Sequence, residues 1–337
     1  METLRNHTIV ITGASSGFGQ GAALKFAKAG ANLVLAARRE KLLNEVAAQC
    51  RNSGGQAVVI KADVSDPGDV RDLAAKALSE FGRIDVWINN AGVGTVGKFE
   101  QSPIEEHEQV IRTNLLGTMY GSYEALRAFH EQGRGALINV GSFAGEVGSP
   151  YLSSYAASKF GIRGLDMALR QELKQNGERE IHVCTIEPVS MDTPFFGHAA
   201  NHTGKPVKPL GKVYDPEEVI EAIFEAALHP EDNVKVIVGA SGKAAAFQHR
   251  LTPELVENQL GKMTHKTQMG QQGTAPNSSG SLFTPSAGGR DVYGGWKSKG
   301  PSVAKYLGFA IPTALLWLLV AKRRSGMQRS EAVDRAA

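Results

Sequence analysis

From residue 8 to about 240, short apolar runs alternate with longer stretches whose apolar positions recur every three or four residues. The runs at 8–11, 32–35, 57–60, 85–89, 136–140, 182–186 and 234–238 are almost wholly apolar. Strands buried on both faces of a parallel sheet have that pattern. Between them, 19–29, 39–51, 67–81, 153–175 and 216–228 carry helical spacing, as in Val70, Leu73, Ala74, Ala77, Leu78 and Phe81. Pro67 and Pro216 follow Asp66 and Asp215, an N-cap acid with proline in the first turn. The alternation predicts an α/β fold: a Rossmann-type, doubly wound parallel sheet of about seven strands, forming one domain over 1–245.

The pattern changes beyond about residue 242. Residues 243–263 predict one more helix. Residues 264–302 are rich in Gly, Ser and Pro without periodicity, so 246–303 reads as a helix followed by a linker. Residues 306–321 then carry no charge, with Lys305 before them and Lys322-Arg323-Arg324 after. Sixteen helical residues span about 24 Å, short of the roughly 30 Å of a bilayer core. The segment 304–324 is expected to be a membrane-associated helix, either spanning with Lys305 and Lys322 snorkelling or lying on the surface as a monotopic anchor, with 325–337 as a polar tail. An oligomer-contact helix is the alternative.

Charge supports that division. Residues 1–242 hold 24 basic and 29 acidic side chains, and 243–337 hold 13 and 5. The net charge of +3 gives no whole-molecule argument for nucleic acid, and none is expected as a partner. A hydrophobic fraction of 42% excludes a disordered chain. Two cysteines, Cys50 and Cys184, exclude a disulfide framework and fit a reducing compartment. The N-terminus shows no signal-peptide pattern, so the expected location of the catalytic domain is the cytoplasm.

The first strand runs into Thr12-Gly13-Ala14-Ser15-Ser16-Gly17-Phe18-Gly19 and then a helix. Glycines let a backbone approach a pyrophosphate closely, and the helix N-terminus offers free N–H groups and partial positive charge. Gly92 to Gly97 matches G-x-G-x-x-G literally, but no helix start follows it, so it reads as a loop beside the cofactor. The second strand ends in Arg38-Arg39, where an NAD-selective site would place an acid. Guanidinium groups suit a 2′-phosphate, so the expected cofactor is NADP(H). Arg39 also reads as a solvated first-turn residue.

Tyr155 and Lys159 stand at i and i+4 on one predicted helix face. A phenol is a poor acid–base catalyst at neutral pH unless a nearby cation lowers its pKa. A second Y-x-x-x-K, Tyr293 to Lys297, lies in the glycine-rich stretch without a helical setting and is set aside. No third ligand accompanies His198 and His202, so no metal site is expected.

Over roughly 5–240 the chain resembles the short-chain dehydrogenase/reductase family. The glycine loop, Asp63-Val64, Asn89-Asn90-Ala91-Gly92, Asn114, Ser142 and the Tyr155–Lys159 pair stand in the family's order. The resemblance implies that Tyr155 is the acid/base and that Lys159 lowers its pKa and holds the nicotinamide ribose. Ser142 would bind the substrate oxygen and Asn114 would support a water relay. Cofactor contacts would come from Gly13, Ser15, Ser16, Gly17, Phe18, Gly19, Arg38, Arg39, Asp63, Val64, Asn90, Ala91, Gly92, Tyr155, Lys159, Pro188 and Thr193. Val189 replaces the glycine that usually follows Pro188 and is expected to stiffen or narrow the nicotinamide side of the pocket.

The resemblance also implies a lid over 194–212, with Phe143 and Tyr151 flanking the pocket, and a homo-oligomer. The expected activity is interconversion of a lipophilic alcohol and its ketone or aldehyde. The alternative is a membrane-tethered NADPH-binding redox sensor or scaffold without turnover.

Overall fold

The computed structural model describes residues 4–297. In chain order they form β1 (Thr8–Thr12), α1 (Gly17–Lys28), β2 (Asn32–Ala37), α2 (Glu40–Asn52), β3 (Gln56–Lys61), α3 (Pro67–Phe81), β4 (Val86–Asn89) and β5 (Thr95–Val96). Then come α4 (Ile104–Ile111), a π-helical turn (Arg112–Leu116), α5 (Gly117–Gln132), β6 (Gly135–Val140), α6 (Ser153–Gln175), β7 (Ile181–Pro188), α7 (Phe195–His198) and β8 (Ala200–Asn201). The last elements are α8 (Pro216–Leu228), β9 (Lys235–Val238), α9 (Ala240–Leu251) and α10 (Pro253–Gln268).

Seven strands form one parallel sheet in the order β3-β2-β1-β4-β6-β7-β9. All seven predicted strands are present, within one or two residues of their expected bounds. The two-residue parallel pair β5–β8 was not expected. Asp66 and Asp215 cap α3 and α8, accepting from the N–H groups of Gly68 (2.7 Å) and Glu217 (3.1 Å).

The strands read as uniformly apolar because both faces are covered. Ile9 and Ile11 of β1 pack into the layer that contains Phe26, Leu43 and Ile223. Val10, between them, faces the opposite layer with Leu73, Trp87 and Phe129. Each strand residue thus removes apolar surface from water on one side or the other, at about 25 cal/mol per Å². Strand order reverses between β1 and β4, and at such a switch point a crevice opens beyond the strands' carboxyl ends. Thr12 stitches that point. Its hydroxyl donates to Ile88 O (3.3 Å) and accepts from the N–H groups of Asn90 (3.0 Å) and Ala91 (3.2 Å).

Two expectations for the C-terminal part are corrected. Residues 243–263 form two helices, α9 and α10, because Thr252-Pro253 ends the first and opens the second. Residues 269–297 form no helix, yet they belong to the same compact unit as the sheet. Among them Leu282 is fully buried, so this stretch is a packed strap and not a free linker. No helix among the described residues is long and apolar enough to cross a membrane. The predicted membrane-associated segment 304–324 and the tail 325–337 lie outside the described residues.

Candidate active site

The glycine loop lies against the end of β4 with no space for side chains. Gly13 adopts φ +66°, and a Cβ there would fall 2.8 Å from Ala91 Cα. At Gly19 it would fall 2.5 Å from Gly13 O and 2.6 Å from Asn90 Nδ2. Asn90 braces the loop, its amide donating to Thr12 O (2.9 Å). Ser16 is the N-cap of α1 but makes no side-chain cap bond. Its hydroxyl accepts instead from Arg39 (2.6 Å), which also reaches Ser15 Oγ (3.1 Å). Phe18 turns into the apolar layer beneath the sheet. Thr193 stands opposite Gly17, 3.9 Å from where a Cβ would sit. Pro188 is buried as the last residue of β7.

Arg39 is therefore not a solvated first-turn residue. Burial, with Arg38 and Arg290 close by, lowers its pKa from the usual guanidinium value. Arg38 lies 3.7 Å from Asp63, whose carboxylate also accepts from Ser65 N–H (3.0 Å) and Oγ (2.7 Å). Arg38, Lys61, Ala62, Asp63, Asp69 and Pro285 line an open cavity of about 530 Å³ beyond β2 and β3. Val64 is buried in the layer under this cavity.

The cradle fits the pyrophosphate of a dinucleotide: at Gly13 and Gly19 any Cβ would clash, and the N-terminus of α1 lies between them.

Ser142, Tyr155 and Lys159 come together at the carboxyl ends of β6 and the start of α6. Ser142 follows β6, and its Oγ accepts from Ala144 N–H (3.1 Å), which fixes its direction. Tyr155 and Lys159 are one turn apart on α6. The Lys159 ammonium donates to Val140 O (2.8 Å) and lies 5.7 Å from the Tyr155 ring centre. Burial lowers Lys159 to about 8. Burial raises the Tyr155 phenol above its usual value, opposed by its hydrogen bond with Ser142.

Asn114 lies in the π-helical turn and is fully buried. Its side chain accepts from Val93 N–H (2.8 Å) and donates to Val93 O (2.9 Å) and Ser158 Oγ (3.0 Å). It thereby pins the Gly92 loop beside the Lys159 ammonium. A Cβ on Gly92 would lie 3.5 Å from Asn114 Oδ1 and 3.8 Å from Lys159 Nζ.

Within the expected lid, the Phe195 ring stacks 5.3 Å from Tyr155. Phe196 packs on Phe195 and on Trp296. Phe143 packs with Val256 and Leu260 of α10. The Tyr151 hydroxyl pairs with His265 (2.6 Å).

Val189 does not narrow the pocket as expected. Its methyl groups fill the space a side chain would need at Gly239 and Gly242. His198 and His202 address different partners, Gly288 O (3.1 Å) and the Glu106 carboxylate (2.8 Å). In the second Y-x-x-x-K, Tyr293 is exposed and Lys297 pairs with Asp215 (2.9 Å).

Sequence reading missed the polar chain below the site. Asn89 donates to Asn139 (2.9 Å), Asn139 to Asp166 (2.6 Å), and Thr185 closes it on Asp166 (2.7 Å). It also missed the strap; the aromatic residues Tyr293 and Trp296 amid its glycines were the available signal.

Residues 7–203 match the profile of short chain dehydrogenases, and the chain belongs to that family. It is an oxidoreductase fold of the dinucleotide-binding type. An uncharacterized oxidoreductase of Bacillus subtilis, YxnA, is 36% identical over 293 residues, covering 86% of this chain and 82% of the relative. A match of that extent runs past residue 280 wherever it begins. The 3beta-hydroxysteroid dehydrogenase 1 of Eggerthella lenta is 32% identical, over 71% of this chain and 92% of that protein. An alcohol dehydrogenase from the archaeon Thermococcus sibiricus, solved with 5-hydroxy-NADP, superposes with a TM-score of 0.60 at 28% identity. That superposition covers 69% of this chain and 95% of the archaeal one.

Proposed function

We propose that the protein is an NADP(H)-dependent oxidoreductase that interconverts a lipophilic alcohol and its ketone or aldehyde. The convergence of Ser142, Tyr155 and Lys159 beside the glycine cradle carries this reading. In the reductive direction the Tyr155 hydroxyl donates its proton to the carbonyl oxygen, and in oxidation the phenolate takes it back. Ser142 donates a hydrogen bond to the same oxygen and stabilises its developing charge. The Lys159 ammonium favours the phenolate and holds the ribose, and Asn114 fixes the loop on its far side and supports a water relay. When bound, the nicotinamide supplies or receives the hydride.

Gly13, Ser15, Ser16, Gly17, Phe18 and Gly19 would hold the pyrophosphate, and Arg38 and Arg39 the 2′-phosphate. Asp63 and Val64 would border the adenine, and Asn90, Ala91, Gly92, Pro188 and Thr193 the nicotinamide half. Phe195 and Val93 beside Tyr155 give the substrate site apolar walls, and the Eggerthella relative's name points to a cyclic alcohol of steroid size.

The test is oxidation of NADPH and of NADH by the full chain against cyclic ketones, 3-oxosteroids and aldehydes. Turnover faster with NADPH and with bulky ketones is expected. Tight NADPH binding without turnover on any carbonyl contradicts the reading and favours a sensor.

The reading includes two further expectations. Met119 and Tyr123 of α5 and Phe160 and Met167 of α6 are exposed apolar residues suited to a homo-oligomer, which light scattering would measure. Residues 304–324 would bind membranes, and vesicle co-sedimentation of the full chain tests that.

A further inference from the structure

The strap, 278–297, crosses the groups expected to hold the cofactor from end to end. It begins as an antiparallel bridge to Asn201, with Ser281 N–H then donating to His198 O (2.8 Å). Leu282 follows and is fully buried in a cluster with Val93, Val110 and Ala200, against which Tyr155 packs. The carbonyls of Ser281 and Leu282 accept from Arg38, the latter at 2.9 Å. Pro285 forms part of the wall of the cavity next to Asp63. The carbonyls of Gly288 (2.9 Å) and Gly289 (3.0 Å) accept from Arg39. Asp291 O accepts from Gly17 N–H (3.1 Å), at the positive end of α1.

The far end is hooked on Asp192, whose carboxylate is buried. It accepts from the N–H groups of Gly294 (3.1 Å), Trp296 (2.7 Å) and Lys297 (3.2 Å). The Trp296 indole donates to Thr193 O (3.0 Å).

Backbone carbonyl oxygens thus stand on the guanidinium and N–H donors that a pyrophosphate and a 2′-phosphate would need. A buried leucine of the strap belongs to the apolar cluster against which Tyr155 packs. We infer that residues 278–297 are an intrasteric strap that competes with the dinucleotide for its own cleft and must lift for turnover. The inference rests on the cleft being a cofactor site.

A strap that merely clasped a bound cofactor would leave those donors free; here five carbonyls use them. The closed state carries its own tension, since Arg290 brings a third positive charge towards Arg38 and Arg39. Similarity to the Bacillus relative extends into this segment.

Two substitutions in the strap are expected to open it. In Gly294→Val the new Cβ would fall 2.2 Å from Thr193 O, a backbone atom that cannot yield. Leu282→Asp puts a carboxylate into an apolar cluster. Calorimetric titration of NADPH into full-length wild type and both variants is the test, with amide exchange of wild type with and without NADPH. A cleft closed most of the time weakens apparent affinity by the fraction open, so both variants are expected to bind about tenfold more tightly or better. NADPH is expected to speed exchange across 281–297. Affinity unchanged or weaker in both variants, or NADPH protecting the strap, overturns the strap alone. Absence of NADPH and NADH binding in all three proteins overturns the cofactor reading and the competition with it.

Discussion

Replacing Asn114 by alanine isolates the loop that the structure places between Val93 and Lys159. The substitution removes the acceptor for Val93 N–H (2.8 Å) and the donor to Val93 O (2.9 Å), and a third bond to Ser158 (3.0 Å). Val93 is 7% exposed, so water cannot readily replace these partners. Each buried backbone group left unpaired costs about 1–3 kcal/mol, which sums to roughly 2–6 kcal/mol for the pair. Asn44→Ala is the control: that amide bonds Glu40 O (3.0 Å) on the surface of α2, and the expected change is within about 0.5 kcal/mol.

Urea denaturation measures both. The expected result is a loss of about 3 kcal/mol for Asn114→Ala, with a fall in kcat from a loosened Gly92 loop. Equal stabilities for the two variants would refute the view that Asn114 serves as the loop's clamp.

Three other outcomes follow from the geometry. Arg38→Ala is expected to weaken NADPH binding about 10- to 100-fold relative to NADH, the worth of a charge-assisted hydrogen bond. The ratio cancels any change in strap closure, and parallel titrations read it. Gly19→Ala, whose Cβ would meet Gly13 O at 2.5 Å, should lower NADPH affinity at least about tenfold while costing about 1–3 kcal/mol of stability. Burial raises Glu187 from 4.5 to about 7 and Asp166 from 3.8 to about 6. The folded state holds those protons more tightly, so their contribution is complete at low pH and declines as pH rises towards 7. Glu187→Gln should flatten the upper part of that decline in urea titrations across pH 4.5–7.

The sheet was legible because strands covered on both faces leave continuous apolar runs, as at 8–11 and 32–35, with proline and aspartate marking helix starts. The glycine loop and the Tyr155–Lys159 pair were legible because each needs a fixed residue type at fixed spacing. Val189 was misjudged because its direction depends on Gly239 and Gly242, fifty residues away, which no local pattern reveals. The strap escaped for a related reason. Its ordering comes from backbone N–H groups meeting Asp192 and carbonyls meeting Arg38 and Arg39, contacts that leave a composition of glycine, serine and proline.

The central claim is that Tyr155 moves the proton. Wild type and Tyr155→Phe should be compared in NADPH oxidation with the best ketone of the panel, beside NADPH titration of both. The account predicts matching NADPH affinities within about threefold and a fall in kcat of about 10²–10⁴ in the phenylalanine variant, the usual contribution of a positioned acid. A variant that binds NADPH normally and reduces the ketone at the wild-type rate would contradict it.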